Sequence, residues 1–140
     1  MNHVRLARLL ALAAGLLDFG SGLGFAFFPI QTLALMRAPV AAEEALTYVR
    51  FVGAFVAAVG ASYLWALFRA DLVRLRAVLE FTLLFRLAAG VFSTAAIAHG
   101  WLALPWASVP AADFTLIVIQ LWLLTKLPTH DVPSSSPSSF

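Results

Sequence analysis

Four charged side chains, Asp18, Arg50, Arg86 and Asp113, stand inside or at the mouth of long apolar stretches. In such surroundings an ionisable group pairs with another, relays protons, or grips a polar group of a small molecule. The spacing favours convergence. Three and four residues from Asp18 lie Ala14, Gly15, Ser21 and Gly22, which places the carboxyl on a small-residue helix face. Arg50 shares a stripe with Thr47, Gly53, Ala54, Ala57, Gly60 and Ala61, and Arg86 with Thr82, Ala89, Gly90 and Ser93. Asp113 is followed two turns on by Gln120. Small residues let helices approach closely, so polar and small residues on one face predict polar groups at helix contacts.

Two carboxylates and two guanidiniums cancel in formal charge. A lone charge at the bilayer centre costs at least ~2.5 to 3.5 kcal/mol, so mutual pairing is the economical arrangement. The expected pairs are Asp18 with Arg86, both near mid-membrane, and Arg50 with Asp113, both in the outer half. Two accounts stand side by side. In one, the four residues are buried ion pairs that fix helix register; in the other, with Gln120 and Ser93, they line a polar pocket open to the outer face. That pocket would take a lipophilic or anionic small molecule through Arg50 and Arg86. A proton route through Asp18 lacks a chain of ionisable groups leading to the cytoplasmic side.

The elements that must position these residues follow from hydropathy. The 140 residues are 62% hydrophobic and 11% charged, with a mean hydropathy of +0.93. That composition lies outside ordinary soluble domains. A helix crossing about 30 Å of hydrocarbon needs about 20 residues, and four stretches qualify: about 9–28, 46–68, 77–98 and 106–126. The expected fold is all-α, a four-helix transmembrane bundle of up-down topology forming one domain over residues 1–127. Arg5, Arg8 and Leu9 to Leu17 also suit the start of a signal peptide, but Asp18 and the glycines that follow offer no clear small-x-small cleavage site. An uncleaved first span is expected.

Between the first two spans, Pro29 opens a segment that reads as a short interfacial helix and a turn. Arg69, Asp71, Arg74 and Arg76 form a charged link before the third span, and Trp101 and Trp106 suit the headgroup level before the fourth. Glu80 is expected to pair with Arg76 at the inner interface. Residues 128–140, rich in Ser and Pro, read as a disordered tail. Lys and Arg gather on one side of the spans, which predicts that both termini are cytoplasmic.

Composition also removes whole classes of chemistry. With no cysteine there is no thiolate metal site, disulfide exchange or cysteine-ligated cluster. The net charge of +2 is spread over short connections, which argues against nucleic acid as a partner. His3, His99 and His130 are too dispersed for a metal site, and no catalytic residue or cofactor is expected. Gly20-x-x-x-Gly24 and Ala57-x-x-x-Ala61 could serve contact within the chain or between chains.

Three features carry a family resemblance: Gly-x-Gly-x-x-Phe-Phe-Pro from Gly22 to Pro29, Arg-Phe-Val-Gly from Arg50 to Gly53, and the intramembrane Arg86. The chain resembles the DoxX-like group of small four-helix bacterial membrane proteins. That resemblance implies a four-helix bundle in a bacterial inner membrane. Some DoxX-type proteins are associated with quinone-linked oxidation of sulfur compounds or with oxidative-stress complexes, but no residue here matches a catalytic role in such chemistry. The expected function is therefore a small accessory or ligand-binding membrane subunit with a membrane-protein partner or a lipophilic ligand; the rival is a redox subunit acting on a quinone-like substrate.

Overall fold

The computed structural model describes residues 3–39 and 42–128. Among these the fold is all-helical: α1 (His3–Phe27), α2 (Pro29–Leu35), α3 (Glu43–Phe68), α4 (Leu72–Ala98) and α5 (Ser108–Lys126). A 3-10 turn at Leu104–Ala107 leads directly into α5. Four helices are long and apolar enough to cross a membrane: His3–Phe27, Glu43–Phe68, Leu72–Ala98 and Leu104–Lys126. Most of their large apolar side chains, such as Leu16, Phe51, Phe81 and Val118, point outward. In water this would be a large exposed apolar surface; in hydrocarbon it is the solvated one.

The helices start earlier than hydropathy alone predicts. α1 begins at His3 rather than residue 9, α3 at Glu43 rather than 46, and α4 at Leu72 rather than 77. Charged first turns lower the mean hydropathy of a window without weakening the helix. Glu43 and Glu44 suit the positive end of the α3 dipole. Asp71 caps α4, its Oδ1 accepting from the Val73 N–H at 2.9 Å and the Arg74 N–H at 3.4 Å. Arg74 and Arg76, expected in a link, are thus in the first turns of α4. The expected short helix after Pro29 is α2, with Pro29 in its first turn. Beyond Pro128, the expected tail, with His130, lies outside the described residues.

Helix ends are closed by left-handed residues: Arg37 (φ 57°), Ala70 (φ 52°) and Gly100 (φ 73°). After α4 the Trp101 N–H reaches Ala96 O at 2.8 Å and the Gly100 N–H reaches Ile97 O at 3.0 Å, the double bond of a Schellman turn.

Neighbouring helices run around the bundle in the order α1, α3, α4, α5, which leaves α3 diagonal to α5 and α1 diagonal to α4. The tightest contact joins α1 and α3. A Cβ on Gly22 would collide with the backbone of Ala57, and one on Gly60 with the backbone of Phe19. A Cβ on Gly53 would likewise meet Phe25 Cβ at 2.7 Å. Contacts therefore pair rising numbers on α1 with falling numbers on α3. Ala57 and Gly24 are used inside the chain, the latter against Thr32, whereas Gly20 faces open space.

Two apolar layers result. One, at the end holding His3, Leu72 and Lys126, contains Ala7, Ala11, Ala14, Tyr63, Leu75, Leu79, Leu123 and Leu127. The other, at the opposite end, gathers Phe25, Leu33, Ala38 and Leu46, with Trp106 packed against it. Polar groups lie between them.

Candidate functional site

Arg86 is the centre of the interior. Its side chain is 4% exposed, and its guanidinium is shared among three helices. Nη2 donates to Asp18 Oδ2 of α1 at 2.5 Å, Nη1 to Asp113 Oδ1 of α5 at 2.9 Å, and Nε to the Tyr63 hydroxyl of α3 at 3.4 Å. A planar guanidinium carries five N–H donors in a fixed fork, which is why one arginine holds two carboxyls where a lysine's point charge would not impose the geometry. All three charged residues lie about 20 Å from the His3, Leu72 and Lys126 helix ends at 1.5 Å per residue. Gly90 eases the approach of α5, since a Cβ there would meet the Phe114 ring at 3.2 Å and Asp113 Cβ at 3.5 Å.

Toward the Lys126 end the charged cluster continues as an uncharged one. Tyr63 Oη lies 2.7 Å from Thr82 Oγ1, and Gln120 Nε2 donates to both, at 2.5 and 3.0 Å. The proton directions can be assigned. Thr82 spends its single hydroxyl hydrogen on Val78 O at 2.7 Å, so Tyr63 donates to Thr82 and accepts from Arg86 and Gln120. This leaves Gln120 Oε1 as the one buried side-chain polar atom without a partner among the described residues. Turning the amide over would satisfy that oxygen at the cost of two idle N–H donors, a worse outcome.

The expected site residues divide clearly. Asp18, Arg86, Asp113 and Gln120 belong to one connected network. Ser93 is buried on the Arg86 stripe but bonds back to Ala89 O at 2.6 Å within its own helix and does not join. Arg50 is exposed, with no ion pair among the described residues. The expected Arg50–Asp113 pair is thus corrected, because α3 and α5 occupy opposite corners and Asp113 faces α4 instead. Asp18 with Arg86 is found as expected. Glu80 holds Arg76 at 2.9 Å, also as expected, and Arg76 further reaches the Leu124 and Leu127 carbonyls at the end of α5.

Tyr63 went unmarked in the sequence as a polar participant, since tyrosine carries no charge. A signal existed. It stands three residues after Gly60, on the continuation of the small stripe that faces α1. Thr82 was on the Arg86 stripe but showed no sign of a role beyond small size.

The cluster is asymmetric in what it presents. The Asp18 and Asp113 side chains are 14% and 11% exposed, whereas the guanidinium behind them is almost sealed. No group of three or more His, Cys, Asp or Glu residues among the described residues could hold a metal.

An all-helical chain with four helices of membrane-spanning length and an interior ion cluster has the build of a multi-pass membrane protein. Comparison with known proteins adds no relative: the chain matches no family model, no curated protein and no solved structure.

Proposed function

We propose that the chain is a four-pass protein of a bacterial inner membrane, up-and-down in topology with both termini in the cytoplasm. It serves as a small accessory or ligand-binding subunit, and the Asp18–Arg86–Asp113 cluster is its binding site. The orientation rests on Arg5, Arg8, Arg69, Arg74, Arg76 and Lys126, which gather at one end of the helices. The inner-membrane reading also draws on the DoxX-like resemblance, two of whose motifs coincide with the Gly22 and Gly53 contacts and whose third is Arg86.

The carrying observation is that the guanidinium is occupied by both carboxyls and 4% exposed, which leaves the Asp18 and Asp113 side chains, at 14% and 11%, as the more accessible face of the cluster. The ligand this face suits is lipophilic, with a hydrogen-bond donor or a positive charge. Of the lipophilic or anionic molecule expected from sequence, this reading keeps the lipophilic part, since an anion would have to displace Asp18 or Asp113 from Arg86, and Arg50 is exposed with no part in the cluster. Native mass spectrometry of the detergent-extracted chain tests the reading. Wild type should retain a lipophilic molecule of this class and Asp113→Asn should lose it. A chain that emerges bare, or one that keeps the same molecule after the substitution, would overturn it.

A further inference from the structure

The cluster holds two carboxyls and one guanidinium, so with every group ionised it carries one uncompensated negative charge. Among the described residues no further charged side chain pairs with it. The groups facing the cluster are Asp18 from α1, Tyr63 from α3, Arg86 from α4 and Asp113 from α5, with the neutral Thr82 and Gln120 behind Tyr63. Arg76 is engaged by Glu80, and Arg50 is exposed, ten residues along α3 from Gly60, which packs on Phe19 beside Asp18. An uncompensated charge at this depth of a hydrocarbon slab is costly, and two carboxylates sharing one site do not both stay ionised.

A second observation points the same way. Arg86 meets one oxygen of each carboxyl, and Gln120, 1% exposed and joined to Arg86 through Tyr63, has an oxygen with no donor. Each carboxyl therefore keeps one oxygen that Arg86 does not reach, where an acid hydrogen can sit.

We propose that the interior cluster is a proton-binding site, taking up one proton per chain on the Asp18–Asp113 pair. The step is balanced by one proton from water, which converts one carboxylate to a carboxylic acid and brings the cluster from a charge of minus one to zero; no other bond changes. The two apolar layers above and below, around Phe25 and Leu33 and around Leu75 and Leu79, make the site a store rather than a channel. The inference rests on the proposed embedding of the chain in a bilayer, and it extends the ligand reading: a cationic ligand at the same carboxyls would release the proton as it binds.

Infrared difference spectroscopy of the full chain in lipid nanodiscs, titrated in water and in heavy water, reads the site directly. Wild type should show the carbonyl stretch of one protonated carboxyl per chain at neutral pH, shifting on deuteration and disappearing at alkaline pH. Asp18→Asn and Asp113→Asn should each reduce it from one to none, since the remaining carboxylate then matches Arg86 one to one, while Glu80→Gln should leave it unchanged. Absence of the band from wild type throughout the titration overturns the proposal whether or not the variants fold. So does its persistence in both Asp variants, or its appearance only when sodium is withheld. Because the measurement needs no co-purified molecule, a chain that carries no ligand yet shows the band would sink the ligand reading alone.

Discussion

At the scale of single residues, the two-to-one ratio of carboxyls to guanidinium sets an order of mutational cost. Removing Arg86 strands two buried acids, and Arg86→Met is expected to lose about 3 to 5 kcal/mol of stability, as breaking a buried ion pair does. Asp18→Asn and Asp113→Asn should cost less than Arg86→Met, because each leaves a matched pair in place. Thermal unfolding in detergent, with all three variants side by side, checks the ranking; equal losses would show that charge balance does not govern the interior. Tyr63→Phe leaves donors on Arg86 and Gln120 without their shared acceptor, so a loss of about 1 to 3 kcal/mol is expected in the same assay. How much of this was legible follows from charge. Asp18, Arg86 and Asp113 announce themselves as the wrong kind of residue for their surroundings, and Gln120 nearly so. Tyr63 and Thr82 do not, because an uncharged hydroxyl in an apolar span is ordinary until its partners are known. Arg50 misleads for a different reason: neither the corner of the bundle that a helix occupies nor the shared level of Asp113, Asp18 and Arg86 can be read from numbering and hydropathy.

At the scale of helices, the α1–α3 seam is built from glycines pressed against backbone, and substitutions should separate those positions from look-alikes. Gly22→Ala and Gly60→Ala push a methyl into the opposing main chain, which has no side-chain freedom with which to yield, so both should lower the unfolding temperature. Gly20→Ala, in the same helix but facing open space, should raise stability by roughly 0.5 to 1 kcal/mol through helix propensity. If all three behaved alike, the seam would not be where the structure puts it. The turn after α3 offers a gain: Ala70 pays the left-handed penalty that glycine avoids, and Ala70→Gly should stabilise by about 1 kcal/mol, read in the same melting experiment. The four spans were legible because hydrocarbon imposes length and polarity on any helix that crosses it. Their first turns were not, since the acids of α3 and the Asp71 cap of α4 stabilise a helix through local electrostatics that a hydropathy average counts against it.

At the scale of the whole molecule, the native chain contains no cysteine, so any single cysteine introduced is a clean topological marker. Arg74→Cys should react with an impermeant maleimide only when the cytoplasmic face is accessible, and Glu43→Cys only from the other side; labelling of both from one face would refute the proposed topology. The interior network also ties the most distant parts of the chain together. Asp18 comes from the first long helix and Asp113 from the last, and Arg86 joins them across 68 residues of sequence on one side and 27 on the other. During synthesis, Asp18 must therefore enter the membrane long before its guanidinium partner exists, and Arg86 waits in turn for the final span before its second carboxyl arrives. A nascent chain stalled before that last span would hold a charge-matched Asp18–Arg86 pair whose second guanidinium nitrogen still lacks its acceptor, a mark by which a membrane quality-control protease could tell unfinished polypeptides from finished ones.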